Sequence, residues 1–281
     1  MDAKLKSTFT WFALMLLILS SAGEAAEQRI ISTMPSNTEI LYELGLGDQI
    51  VGVSAFSDFP RDAQKKPSVG GMILNTEKIV ALRPTLVIMN ADAQANDVMR
   101  MRALGLPVVG VHGNTLQDIG IAVATTGALT GRFVPALKWT LNENKRIQTV
   151  QKRAREMWNG ESPSAFVQIW DRPLITAGRN SLVGDIVSNA GLSNVAGGSG
   201  YPLYRLEKLL VQNPYFIIVP SGSIGRAVQM QRNPVWNTLS AVQNNRVIYI
   251  DENLLVRAGP RAITGLEMLM RQLDAFKGGT A

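Results

Sequence analysis

Short apolar runs alternate with helical patterns along most of this chain. In the first half the strand candidates are RIIST (29–33), IVGVS (50–54), TLVIMN (85–90) and PVVGVH (107–112). They are rich in β-branched residues and apolar at successive positions, as strands buried on both faces are. Between them, helical spacing appears at NTEILYEL (37–44), TEKIVAL (76–82) and NDVMRMRAL (96–104). The second half repeats the alternation. Its strands are SAFVQIW (164–170), YFIIVP (215–220) and RVIYID (246–251), and its helices SLVGDIVSNAG (181–191), RLEKLLVQ (205–212) and AITGLEMLMRQLDAF (262–276). This order predicts an α/β fold with mostly parallel sheets.

One unit is spelled twice. TEKIVALRPTLVI (76–88) and LEKLLVQNPYFII (206–218) align without a gap at an offset of 130, since 207 − 77 and 214 − 84 agree. In each, Glu-Lys opens an apolar helical turn, a proline ends it, and a strand follows. The duplication predicts two α/β lobes, residues 27–130 and 159–281, with 131–158 as a connecting helix. Its apolar residues Phe133, Leu137, Leu141, Ile147, Val150, Ala154 and Met157 fall on one stripe. Thr130 is placed to cap it and Pro135 lies near its first turn. At 1.5 Å per residue it would run about 40 Å, a strut and not a flexible linker. Arg132, Lys138, Lys145, Arg146, Lys152, Arg153 and Arg155 form the other face, expected to be solvated. No block of five or more like charges points to nucleic acid.

The start of the chain reads as a leader. Lys4 and Lys6 precede the apolar run FTWFALMLLIL (9–19), and SSAGEAA offers small residues for cleavage, so residues 1–26 are expected to be a cleavable secretory signal. About eleven apolar residues are too few for a bilayer span, which takes roughly 20. The chain has no cysteine. That rules out disulfides, thiolate chemistry and a lipid on a cysteine at the cleavage site. A protein free in solution outside the cytoplasm is expected. Cleavage removes Asp2 and Glu24 with Lys4 and Lys6, so the net charge of +6 is kept.

A two-lobed α/β protein binds its ligand in the crevice beyond the carboxyl ends of its strands. The segments that follow strands supply the candidates. They are Ser36 in MPSNTE, Phe56, Asp58 and Phe59 in AFSDFP, Trp170 in WDR, and Arg257 in DENLLVRAGPR. GGSGYPLY, ahead of the second copy of the repeated helix, adds Tyr201 and Tyr204. Loop aromatics suit a large, flat, partly apolar ligand, and an arginine suits a carboxylate or phosphate. Enzyme chemistry finds little support. The single histidine is His112, no nucleophile elbow, zinc-protease motif or P-loop occurs, and GLGDQIVG (45–52) precedes a strand instead of following one. A metal site built on several histidines is excluded, and no cofactor is expected.

Two segments carry a family likeness. MPSNTEILYELGLGDQIVGVSAFSDFP and KPSVGGMILNTEKIVALRPTLVI closely resemble the start of periplasmic binding proteins for cobalamin, heme and ferric siderophores. The resemblance extends through the connecting helix to RAGPR. S-x-x-S-D-x-P and VGG look most like the cobalamin binders. It implies two Rossmann-like lobes joined by a single long helix, the class III arrangement. It also implies a monomeric solute-binding protein that delivers a corrinoid to the membrane subunits of an ABC importer. Heme or a ferric siderophore is the alternative ligand, and an extracytoplasmic enzyme a distant one. The family presents a glutamate on each lobe to transporter arginines, and the matching positions are Glu77 and Glu207. Phe56, Tyr201 and Arg257 match ligand-site positions of the cobalamin binders. Two tryptophans of that group lack aromatic counterparts, near Gly71 or Met72 and near Asn90. The iron-ligating tyrosine of heme binders falls on Gly71, which disfavours heme, although Tyr201 or Tyr204 could serve instead.

Overall fold

The computed structural model describes residues 28–222 and 234–277, so the expected leader lies outside the described residues. The first part runs β1 (Ile30–Ser32), α1 (Pro35–Glu43), β2 (Ile50–Val53), α2 (Thr76–Ala81), β3 (Leu86–Asn90), α3 (Ala95–Ala103), β4 (Val108–Val111) and α4 (Leu116–Leu129). Its strands pair in the order β2-β1-β3-β4, all parallel. Helix α5 (Phe133–Trp158) follows. The second part runs β5 (Ser164–Trp170), β6 (Ile175–Thr176), α6 (Leu182–Asn189), β7 (Ser193–Asn194), α7 (Leu206–Gln212) and β8 (Phe216–Ser221). It ends with α8 (Ser240–Gln243), β9 (Val247–Asp251), α9 (Glu252–Leu255) and α10 (Ala262–Lys277). Here the order is β6-β5-β8-β9, with β7 also on β5 and only β6 antiparallel.

Each sheet carries apolar packing on both faces, which explains strands without polar alternation. Ile40, Leu41, Val123 and Ala136 cover one face of the first sheet, and Ile79, Val98 and Met101 the other. Leu209 and Trp236 cover one face of the second, and Ile186, Leu266 and Leu269 the other. The repeat holds in three dimensions: Ile79 of α2 and Leu209 of α7, 130 positions apart, are both fully buried.

Helix α4 is absent from the sequence reading. A capping box opens it, with the Thr115 side chain on the Asp118 N–H and the Asp118 carboxylate on the Thr115 N–H. Its first turn belongs to the other lobe's core. Leu116 and Ile119 pack with Val183, Ile186 and Leu266, and the Leu116 N–H donates to Asp185 Oδ2 at 2.8 Å.

Helix α5 starts at Phe133 with Arg132 as N-cap, not at Thr130. The Thr130 hydroxyl instead donates to Thr126 O at 2.7 Å and closes α4. The α4–α5 turn is tight. A Cβ on Gly127 would sit 2.4 Å from Ala136 Cβ, so only glycine permits this approach. That contact sets the rotation of α5, and the expected stripe is only partly right. Ala136, Glu143, Val150 and Met157 point inward at seven-residue steps, whereas Phe133, Leu137 and Leu141 are exposed. The basic face is not wholly solvated either. Arg146 reaches Glu143 and donates twice to Glu267 at 2.7 and 2.8 Å, and Arg153 pairs with Asp274 at 2.7 Å. Both pairs span 121 positions, so α5 and α10 run parallel, laced by ions.

Candidate functional site

The carboxyl ends of both sheets supply the candidate cleft. On the first lobe, a buried hydroxyl chain fixes the loop after β2. Thr38 Oγ1 donates to Ser32 Oγ at 2.8 Å and lies 2.9 Å from Ser57 Oγ, tying that loop to β1 and α1. The segment 67–70 then runs beside β2, through Val69 N to Val53 O at 2.8 Å and Ala55 N to Gly70 O at 2.7 Å. These bonds hold Phe56 outward with 53% of its surface exposed. Its ring lies over Gly71, where a Cβ would come 2.9 Å from the ring edge.

From the second lobe, the loop after α9 crosses to the first. Arg257 donates both terminal nitrogens to Asp58, one at 3.1 Å to Oδ2, and its Nη1 stands 3.6 Å from Glu39 Oε1. Arg261 binds Glu39 in the same forked manner, at 2.6 and 3.0 Å, and its guanidinium lies 4.0 Å from the Phe59 ring centre. The Glu39 side chain is only 2% exposed, so its charge requires these partners. The hydrogen bond from Arg257 holds the Asp58 carboxyl below the usual carboxylate range. A cavity of about 450 Å³ opens here, lined by Ser54, Phe56, Asp58, Lys66 and Arg257 among others.

The remaining candidates divide. Trp170 ends β5 with its ring partly exposed and its Nε1 donating to Arg172 O at 3.0 Å. Tyr201 is also partly exposed, on a loop held by the exchange of Gly178 N to Gly200 O at 2.8 Å and Asn180 N to Gly198 O at 2.9 Å. Both stand at the β5–β6 side, two strands from β9 and the Arg257 loop. Two candidates turn away from the cleft. Tyr204 packs on Phe166 at 5.2 Å and bonds Gln212, because its ring completes the second lobe's core. Ser36 does not begin α1, which starts at Pro35. Ser36 is buried, and its Cα lies 3.3 Å from the Cβ position of Gly259, so the crossing loop covers it. Glu77 and Glu207 are exposed in the first turns of α2 and α7. His112 leans on Asp92, with Nδ1 at 2.8 Å from Oδ1. Among the described residues no cluster of three or more His, Cys, Asp and Glu could hold a metal, and no helix is long and apolar enough to cross a membrane.

Sequence reasoning missed Glu39 and Arg261. Glu39 reads as an ordinary helix acid. Arg261 was visible in RAGPR as a second arginine four residues after Arg257.

A family model described as periplasmic binding protein matches residues 30–254. The chain belongs to the periplasmic binding protein family. It is a binding protein and not an enzyme, and its two mainly parallel sheets with one long helix are the family's class III arrangement. The vitamin B12-binding protein of Pectobacterium carotovorum is 29% identical over 269 residues, covering 94% of this chain and 95% of that protein. The crystal structure of the periplasmic vitamin B12 binding protein BtuF of Vibrio cholerae superposes with a TM-score of 0.76 at 28% identity, over 88% of this chain and 96% of that one. A periplasmic heme binding protein from Pseudomonas aeruginosa superposes equally well, with a TM-score of 0.77 at 25% identity over 87% and 92% of the two chains. Fold likeness within the family therefore does not separate the two ligands.

Proposed function

We propose that this protein captures a corrinoid, cobalamin or a close relative, between its lobes in the periplasm and hands it to the membrane subunits of an ABC importer. Glu77 and Glu207 are the docking acids, one on each copy of the repeated helix. The observation that carries the ligand choice is the Phe56 ring over Gly71. Gly71 is the position that the resemblance gives to the iron-ligating tyrosine of heme binders. Here it offers flat apolar surface and no oxygen ligand. Phe59, Trp170 and Tyr201 add partly exposed aromatic surface from both lobes, as a broad ring with amide edges requires. The whole-length likeness to vitamin B12-binding proteins supports the same choice.

Heme or a ferric siderophore is the second reading. It would use the partly exposed Tyr201 phenol as iron ligand, and heme-binding relatives of the same fold support it. Purified protein is incubated separately with cyanocobalamin, hemin and a ferric siderophore, then desalted, and the retained chromophore is measured by absorbance and mass. Retained cobalamin is expected. Retention of hemin or the siderophore alone transfers the protein to the second reading.

A further inference from the structure

The two arginines that the second lobe extends over the cleft floor are already occupied by acids of the first. Arg257 is bound to Asp58 and Arg261 to Glu39, each through a forked pair of hydrogen bonds. Within these two pairs the two cations and two anions cancel. The two pairs differ in access. Glu39 is sealed at 2% exposure, whereas the Asp58 side chain is 50% exposed and lines the cavity beside Arg257. Lys66 shares that lining, whereas the neighbouring Lys65 is bound to Asp62 at 2.6 Å.

We propose that Asp58 is the charge filter of the cleft: it occupies the donors of Arg257 and admits a macrocycle edged with neutral amides over one edged with carboxylates. The proposal rests on the corrinoid reading and adds which peripheral groups the site selects. A ligand carboxylate seeking Arg257 must displace Asp58 and then lie beside it as a like charge. An amide meets no such cost. Its N–H can donate to the outer lone pairs of Asp58 while its carbonyl accepts from the Arg257 edge. Asp58 stays ionised over the whole neutral range, because Arg257 holds its carboxyl low, so the filter does not switch with moderate acidification.

The test uses two rings that differ only at their edges. Dicyanocobinamide carries amides and dicyanocobyrinic acid carries carboxylates on the same cobalt corrin. Calorimetry gives the ratio of their affinities for the full chain, for Asp58→Asn and for Asp58→Glu, with thermal melting to check that each variant is folded. Wild type is expected to prefer the amide ring. Asp58→Asn releases Arg257 and should shift the ratio toward the carboxylate ring by about tenfold or more, an effect that salt weakens. Asp58→Glu keeps the charge and should hold the ratio on the amide side. An unchanged ratio in Asp58→Asn, with both rings still bound, overturns the filter and leaves the corrinoid reading standing. If wild type binds neither ring, the corrinoid reading fails and the filter with it.

Discussion

Arg83 and Asn213, 130 positions apart, share a left-handed backbone, with φ of 47° and 39°. Each follows a repeated helix and precedes a proline. Proline disfavours the right-handed helical region for the residue before it, and a left-handed residue ends the helix compactly. The repeat thus extends to a backbone conformation that few side chains adopt easily. Asn tolerates it. Arg carries a cost of about 1–2 kcal/mol. Arg83→Gly is therefore expected to stabilise the protein by about 0.5–1 kcal/mol in denaturant melts, part of the relief being returned to the looser unfolded chain. The matching Asn213→Gly should gain nothing, because Asn213 Oδ1 also accepts the Ser240 N–H at 2.8 Å.

That pair also marks where the sequence is legible. Strands, the repeated helices and the long helix show in local pattern, since burial on both faces leaves unbroken apolar runs such as Phe216, Ile217, Ile218 and Val219. Helix α4 escaped because Gly120, Thr125, Thr126 and Gly127 dilute its periodicity, although Thr115 and Asp118 spell its cap. The rotation of α5 is hidden as well, being set by the close approach of Gly127 to Ala136 across the α4–α5 turn. At the cleft, exposed loop aromatics could be listed from their position after strands. That Glu39 and Arg261 belong together could not, because the pair exists only once the lobes meet.

A half-buried carboxylate at the lobe junction, Asp185, gives a pH signature. Burial pushes the Asp185 carboxyl above its ordinary value of 3.8, outweighing the Leu116 N–H that favours the charged form, and Asp118 adds repulsion. A group whose pKa is raised on folding adds stability that is complete below the unfolded value. That stability is lost as pH rises through the folded value. Asp185→Asn should remove this acid-side gain. Melting temperatures of the two proteins, followed from about pH 3 to 7, should show wild type losing ground to the variant as pH rises. Parallel curves would mean that Asp185 titrates normally.

Lobe closure on binding is expected to be small. Bending α5 would break backbone hydrogen bonds within a continuous 26-residue helix. The lobes also share a core through Leu116 and Ile119 and are clasped by Arg257–Asp58 and Arg261–Glu39. Small-angle scattering curves of free and ligand-bound protein should nearly superimpose. A clear fall in radius of gyration would contradict this.

Aromatic contact should carry much of the ligand affinity. Phe56→Ala and Tyr201→Ala each remove a partly exposed ring from opposite lobes, and each is expected to weaken cobalamin binding by about 1–3 kcal/mol in calorimetry. Tyr204→Ala provides the contrast. Its ring is in the second lobe's core against Phe166, so it should lower the melting temperature and change affinity less. Unchanged affinity in both cleft variants would place the ligand elsewhere.

Docking separates transport from binding. Glu77 and Glu207 are exposed, each in the first helical turn that precedes a matching strand, and neither forms an ion pair among the described residues. A first-turn acid also favours its helix through the macrodipole, worth roughly 0.3–1 kcal/mol, so reversal carries a small stability cost that melting can measure. The cost at an interface is larger. A lysine placed against a transporter arginine turns an attraction into a like-charge contact that loses its water on docking. The double variant Glu77→Lys/Glu207→Lys should therefore keep wild-type ligand affinity in calorimetry and lose uptake in cells or vesicles containing the importer. Each single reversal should leave partial uptake, because the other lobe still docks. Wild-type uptake by the double variant would reduce the repeated acids to helix-capping charges.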